Sequence, residues 1–346
     1  MKNTRYIINE NATIREALVS LDGNTHDWQT LFVVDDSEKM AGTLTDGDIR
    51  RALIAGVELS DTVEKAMHTD FKFLYDGQYD AHKLKEFREK QIYFIPVLND
   101  EGHIVKVCNL IKYYNFLPID AVLMAGGKGE RLRPLTEKTP KPLLPVGDKA
   151  IIDHNVDRLI SFGVKHIHVT VNYLKEQIED HFREPRGDIQ IQTVREPQFL
   201  GTIGSIRFIP KFYNDAVLVM NSDLFTNINY EDFYLHFKEH DADMSVAAVP
   251  YDVDIPLGIL NLDGRNITGI SEKPHYGYYA NAGIYLIKKS ALDLIPEDIC
   301  YNATDLIVSL IENGKKVIRF PLNGTWIDIG NPQEYKRAND LVKHMH

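Results

Sequence analysis

The sequence predicts an α/β protein in two parts: a mixed, mostly parallel sheet with helices on both faces from residue 118 to 346, and a smaller module over residues 1–117. Three observations carry this reading. From residue 118 onward short β-branched or apolar runs alternate with amphipathic helical stretches, the pattern of strands buried on both faces. Before it, a helix–strand–strand–helix pattern occurs twice, about 60 residues apart, which is an internal repeat. Between the two parts, the apolar run "IDAVLM" ends in a loop where Gly126, Gly127 and Gly129 remove side chains just as the chain must turn.

A chain of 346 residues, 44% of them hydrophobic, suits two compact domains. The formal net charge of −11 argues against wholesale nucleic-acid binding. Against that acidic background the cluster Lys128, Arg131, Arg133, Lys138 and Lys141 stands out as a local anion site. Cys108 and Cys300 lie far apart with no CxxC pair, which fits a reducing cytosol better than a structural zinc site. With no apolar run of ~18 residues and no basic-then-apolar leader, neither a membrane partner nor secretion is expected, and the location expected is cytoplasmic. The terminal "HMH" is too short to read.

In the first module "NATIREALVSL" opens a helix, "TLFVVDD" and "MAGTLT" read as strands, and "DGDIRRALIAG" as a second helix. The repeat follows as "QYDAHKLKEFREKQ", "IYFIPVLND", "EGHIVKVCN" and "LIKYYNF", the last again expected to be helical. Neither half buries enough surface alone, so the two are expected to pack as a pair. In "GTLTDGDIRRAL" (Gly42 to Leu53), Thr45 offers a hydroxyl at a helix start and Asp48 a carboxylate that can accept two hydrogen bonds from a cis-diol. Simple capping by Thr45 or Asp46 accounts for the same residues equally well.

This pair resembles a tandem CBS domain (a Bateman module). The resemblance implies a purine nucleotide with its phosphate near Thr45 and its ribose near Asp48. The second repeat departs from the pattern, since "KVCNLIK" places Lys106, Asn109 and Lys112 where glycine, threonine and aspartate would stand. At most one nucleotide site is therefore expected, and the module is expected to serve regulation or the assembly of a homo-oligomer.

In the second part the expected strands are "IDAVLM", "HIHVTVN", "IQIQTV", "AVLVMNSD", "MSVAAV", "NAGIYLI" and "KVIRFPL", with helices such as "KAIIDHNVDRLISFG" and "LKEQIEDHF" between them. Ligands of such sheets bind beyond the carboxyl ends of the strands, which is where the glycine loop lies. Gly127-Lys128-Gly129-Glu130-Arg131 can turn backbone N–H groups toward phosphate oxygens, and Arg131 adds a planar charged fork. The spacing is neither GxGxxG nor GxxxxGK[ST], so the dinucleotide and P-loop fingerprints both fail. Downstream, "PKP" holds Lys141 between two prolines, which suits aiming one cation at a phosphate; a solvated lysine in a turn is the alternative.

The stretch from Asp120 to Asn339 resembles the sugar-1-phosphate nucleotidyltransferases, the NDP-sugar pyrophosphorylases, through seven motifs in family order. These are "AGGKGERLRPLT…PKPLLPV", "LGTIGS", "MNSD", "PLGI", "SEKP", "NAGIY" and "WIDIG". The resemblance implies a Rossmann-like nucleotidyltransferase domain in which a sugar-1-phosphate oxygen attacks the α-phosphorus of a nucleoside triphosphate and pyrophosphate leaves in line. Catalysis is then mainly positioning and charge neutralisation. By this resemblance Leu123, Ala125, Gly126, Gly127, Gly129 and Arg131 line the nucleotide site, with Arg131 on the β and γ phosphates and Lys141 on the α phosphate. Asp223 and Asp328 would ligate Mg²⁺, although either can be read as a strand-end cap. Ser222 stands where family members often have glycine. On the sugar side Lys273 would meet the sugar phosphate, Glu272 the hydroxyls, Gly258 would permit close approach and Asn281 line the pocket; a surface turn before Pro274 is the plainer reading of "SEKP".

Leu200, Gly201 and Thr202 form the base loop by the same resemblance. Five residues before that glycine, where members reading uracil or thymine typically carry glutamine, stands Glu196. A carboxylate accepts from N1–H and N2–H₂ of guanine together and repels pyrimidine carbonyls, which favours GTP. Exposure to solvent or pairing with Arg195 is the alternative for Glu196. A CBS pair ahead of such a domain resembles the glucosamine-1-phosphate guanylyltransferases that supply nonulosonic (legionaminic) acid pathways in bacteria. Mannose-1-phosphate guanylyltransferases, UTP- or dTTP-using transferases and a nucleotide sensor with a degenerate transferase domain stay open beside it.

Overall fold

The computed structural model describes residues 4–23 and 29–343, so the terminal "HMH" lies outside the described residues. The chain divides into two compact units, Met1–Phe116 and Leu117–His346. No helix among the described residues is long and apolar enough to cross a membrane.

In the first unit each repeat builds a three-stranded sheet of the same design. Ile7–Asn9 pairs parallel with Thr30–Val34, which pairs antiparallel with Met40–Thr45. Leu74–Tyr75, Phe94–Leu98 and Ile104–Asn109 repeat that order and direction. Even the irregularities coincide, since both antiparallel pairs shift register before their last step, at Val33/Val34 and at Val97/Leu98. The halves share one apolar cluster, in which Tyr6, Phe32 and Val34 meet Leu98 and Ile104. Phe94 stacks on Phe32 at 5.4 Å and takes the edge of Tyr6 at 4.7 Å.

The first repeat closes with the helix Asp46–Ile54, and the second does not. "LIKYYNF" was expected to be helical and forms turns instead. The Asn109 side chain accepts from the backbone N–H of both Ile111 and Lys112, a local arrangement that competes with the helical ladder. Pro118 follows at once, leaving no room to recover a helix.

The second unit is organised on a seven-stranded sheet in the order Gln192–Arg195, His166–Val171, Ile119–Met124, Ala216–Asn221, His275–Lys288, Met244–Asp254, Val317–Pro321. All run one way except His275–Lys288, which is antiparallel to both neighbours. Ile119–Met124 and Ala216–Asn221 are mostly apolar and buried, and His166–Val171 beside them is buried over most of its length, as a sheet covered on both faces requires. With His275–Lys288 inserted inside the earlier Met244–Asp254, later strands lie outward to one side of Ile119–Met124 and to the other of Ala216–Asn221. Those two strands lie side by side, so the order reverses between them, and a crevice opens at their carboxyl ends.

Two further pieces shape that end of the sheet. Leu224–Thr226 pairs antiparallel with Trp326–Asp328, setting Leu224 opposite Asp328. Met244–Asp254 and His275–Lys288 continue beyond the sheet as an exposed ribbon, joined through the hairpin Ile259–Asp263 and Asn266–Ser271. The ribbon bends where Val246 faces Tyr285 but Ala248 faces Asn281, a bulge that leaves extra residues on the inner strand. Gly283 sits in it at φ +71°, where a side chain would be strained.

Candidate active site

A cleft of about 590 Å³ opens at the crevice. It is lined by the loop Ala125–Arg131, by Lys141, and by Ser222 and Asp223 at the end of the neighbouring strand. Gly129 knits this together. It adopts φ +61°, and a Cβ there would press on Thr136 at 3.0 Å and on the Cβ of Lys141 at 3.1 Å. Only glycine lets the loop lie against the Pro-Lys-Pro segment, and the Thr136 hydroxyl secures the contact by donating to the Gly129 carbonyl at 2.8 Å.

Lys141 is 8% exposed and ion-paired with Asp223, so the reading of a solvated lysine does not hold. Asp223 is placed by Ser222, whose backbone N–H and hydroxyl both donate to the Met124 carbonyl, the hydroxyl at 2.7 Å. The serine in place of glycine thus binds the two strand ends together. Lys141 occupies Asp223 Oδ2, while Oδ1 is buried without a partner. An orphaned carboxylate oxygen with a second carboxylate nearby is what a divalent cation would satisfy. Asp328 is that second group, brought near by the short ribbon, and the Ile329 N–H donates to the Asp223 carbonyl at 3.2 Å. Burial and the neighbouring Asp223 charge push the Asp328 carboxyl above its ordinary range, against the opposing pull of Lys141 and Arg131. Two carboxylates, with phosphate and water completing the shell, fit magnesium.

The structure brings together Ala125, Gly126, Gly127, Gly129, Arg131, Lys141 and Asp223 on one cleft. Leu123, expected at the nucleotide, is instead fully buried in the central strand with its backbone aligned to Val169 and Met220; it supports the loop from below. Glu196 is 5% exposed and lies behind the loop: a Cβ on Gly126 would come within 2.6 Å of its Oε1. Neither alternative for this residue holds, because it is not exposed and Arg195 pairs with Glu179 at 2.5 Å. Burial raises the Glu196 carboxyl above its usual value, opposed by Ser205, the Leu200 backbone and Thr170. Gly201 and Thr202 are held against the segment 301–303. Gly201 sits at φ +78° with no room for a Cβ beside the Tyr301 carbonyl, and the Thr202 hydroxyl accepts from the Ala303 N–H at 2.8 Å.

The residues expected on the sugar side stand apart from this cleft, on the ribbon. Gly258 packs on Glu272, whose Oε2 would meet a Cβ there at 2.9 Å, and Lys273 is exposed at φ +43°. Asn281 is committed to the bulge: its Oδ1 accepts from the Gly283 N–H and its amide donates to the Tyr285 hydroxyl, both at 2.9 Å. In the first unit Thr45 is the N-cap of Asp46–Ile54 and forms a capping box with Asp48, whose Oδ2 accepts from the Thr45 N–H at 2.9 Å and whose Oδ1 accepts from Arg51 at 2.6 Å. Asp46 pairs with Arg50 and is not the cap.

Three cleft residues escaped the sequence reading: Asn172, Phe199 and Gly330. Asn172 follows the strand His166–Val171 directly, the position where a parallel sheet presents ligand contacts, and that placement was a usable signal. Phe199 and Gly330 lie inside or beside quoted motifs, and only the folded chain shows which way they face.

A glycine loop and a buried lysine at the switch point of a mostly parallel sheet, with paired carboxylates alongside, define an α/β nucleotide-handling class of protein. The family model described as "Nucleotidyl transferase" matches residues 120–344, and the chain belongs to that family. A CBS domain model matches residues 1–55. A Sulfolobus acidocaldarius protein provisionally named mannose-1-phosphate guanyltransferase is 31% identical over 225 residues, 64% of this chain and 62% of that protein. The bifunctional protein GlmU of Methanocaldococcus jannaschii is 32% identical over 231 residues, 65% of this chain and 54% of that protein. The chain thus spans roughly half to three-fifths of these relatives' own length. A Bacillus anthracis crystal structure provisionally named glucose-1-phosphate thymidylyltransferase shares the fold at 24% identity, with TM-score 0.53 over 66% of this chain and 96% of that one.

Proposed function

We propose that the protein is a sugar-1-phosphate nucleotidyltransferase that joins GTP to glucosamine-1-phosphate, giving a GDP-sugar and pyrophosphate. The observation that carries this reading is the convergence of the open glycine loop, Arg131, Lys141 and Asp223 on one cleft. A sugar phosphate oxygen forms a bond to the α-phosphorus as the bond to the β-phosphate bridging oxygen breaks, and the electron pair leaves with pyrophosphate. The amides of Gly127–Gly129 and the Arg131 fork hold the β and γ phosphates. Lys141 leaves Asp223 for the α phosphate, where charge builds as the bond order changes. Asp223 and Asp328 would hold a magnesium ion, which on binding neutralises phosphate charge. Lys273, Glu272, Gly258 and Asn281 receive the sugar phosphate from the ribbon.

Glu196 reads guanine, and its burial beside Gly126 supports this because a shielded carboxylate discriminates donors from acceptors strongly. The name of the Sulfolobus relative supports a guanyl transfer and also favours a second reading, mannose-1-phosphate as the acceptor. The CBS module would hold one purine nucleotide at Thr45 and Asp48 and join copies of the chain. The product would serve bacterial surface-glycan or legionaminic acid synthesis in the cytoplasm.

Pyrophosphate release over a grid of four nucleoside triphosphates and several hexose-1-phosphates tests the reading. The expected outcome is turnover with GTP and a single favoured sugar phosphate. Preference for UTP or dTTP would remove Glu196 as the guanine reader, and no release with any pair would remove the transferase reading itself.

A further inference from the structure

Arg131 is an exposed side chain whose charge acts on the Asp328 carboxyl, and among the described residues no hydrogen bond or close ion pair holds its guanidinium. Gly330 lies directly against it. A Cβ on Gly330 would meet Nη2 at 3.0 Å, Cζ at 3.3 Å and Nη1 at 3.4 Å, and these are its three nearest neighbours. The guanidinium therefore fills the space in which a Gly330 side chain would begin. Gly330 is not in the left-handed region, so its backbone would accept a side chain; what a side chain would displace is Arg131.

The seat belongs to a rigid turn. Leu132 and Ile329 are buried in the same apolar cluster, which fixes the backbone on both sides of the contact. The Gly330 N–H donates to the Asp328 carbonyl at 2.7 Å, and the Ile329 N–H donates to the Asp223 carbonyl. One short segment thereby fixes both carboxylates and the place where the arginine rests. An arginine carries large rotamer freedom, and its fork is useful only when pre-aligned.

We propose that Gly330 is a positioning residue for nucleotide binding, its bare α-carbon acting as the platform that aims the Arg131 guanidinium at the triphosphate. This rests on the reading of Arg131 as the β,γ-phosphate contact. Gly330→Ala and Gly330→Val in the full chain, each alone and combined with Arg131→Ala, test it through steady-state kinetics with GTP and glucosamine-1-phosphate. The KM for GTP should rise on the order of 10-fold for the alanine variant, and kcat/KM should fall on the order of 100-fold for valine, the scale of an ångström-sized misplacement. The KM for the sugar phosphate should stay unchanged, and neither substitution should cost anything further in the Arg131→Ala background. Equal losses in both backgrounds, or a parallel rise in both KM values, would overturn the proposal. If Arg131→Ala alone leaves GTP kinetics intact, the reading of Arg131 falls, and the role of Gly330 with it. Should the valine variant not fold, the alanine variant carries the same comparison.

Discussion

Lys141 and Asp223 form a half-buried ion pair across the cleft, one from a turn between two prolines and the other from the end of a central strand, 82 residues apart in sequence. Removing two charges from water is costly, and such a pair persists where geometry and partners compensate. On the proposed reading, the pairing would hold a lysine and a carboxylate ready within reach of the same phosphate.

Replacing Asp223 with asparagine keeps an acceptor for Lys141 and removes the carboxylate charge. Turnover in magnesium buffer should fall by orders of magnitude while the far-ultraviolet circular dichroism stays that of the parent. Pyrophosphate release at saturating substrates measures it; a fully active variant would remove Asp223 from the metal site.

Glu196→Gln replaces a double acceptor by a donor–acceptor pair. Efficiency with GTP should fall by about 1–3 kcal/mol in transition-state terms, the size of one bidentate contact, while UTP or dTTP gains relative to it. The ratio of kcat/KM values for GTP and UTP is the measurement, and an unchanged ratio would show that the buried carboxylate does not read the base.

Stability should depend on pH through Asp153. Burial alone would raise its carboxyl, but His181 at 2.7 Å and Arg186 at 2.7 Å outweigh that and hold it below its ordinary value. A depressed folded-state value means stability that is present above the unfolded value of about 3.9 and lost as pH falls through the lower folded one. Urea midpoints should therefore drop between about pH 5 and pH 3, and Asp153→Asn should lower the midpoint at neutral pH and flatten that decline. A variant with the parent's acid slope would assign the slope to other groups.

The Thr45–Asp48 box makes a separable claim about the first unit. Thr45→Ala should cost about 1 kcal/mol of stability whatever ligand is present, the usual value of an N-cap. Titrating AMP, ATP, GMP and GDP into the full chain by calorimetry, beside the Asp48→Ala variant, tests the nucleotide reading. One equivalent lost on substitution is the expected result, and identical heats in both proteins would leave Asp48 a capping residue only.

Much of the site was legible because its parts are local. The glycine loop follows its strand directly, Lys141 is framed by prolines, and Asp223 and Asp328 sit in short motifs. What sequence could not carry was long-range register. The Gly201–Thr202 loop is closed by residues 301–303, about a hundred positions away, and Gly330 faces Arg131 only because Trp326–Asp328 pairs with Leu224–Thr226. The missing helix after Asn109 failed for a local reason, an asparagine side chain outcompeting the helical ladder.

The bulge at Asn281–Tyr285 gives a single strand two lives. On one side of it, Tyr285–Ile287 is buried and paired on both edges; on the other, His275–Tyr279 is exposed and paired only to its ribbon partner. Asn281 and Gly283 interrupt the ladder between them, so opening of the outer segment need not propagate inward. Amide hydrogens of Tyr276 to Tyr279 should therefore exchange with deuterium far sooner than those of Tyr285 to Ile287. On the proposed reading, Glu272 and Lys273 would then carry the sugar phosphate on an element that opens independently of the sheet beside the glycine loop, and the two substrates would meet surfaces of unequal stiffness.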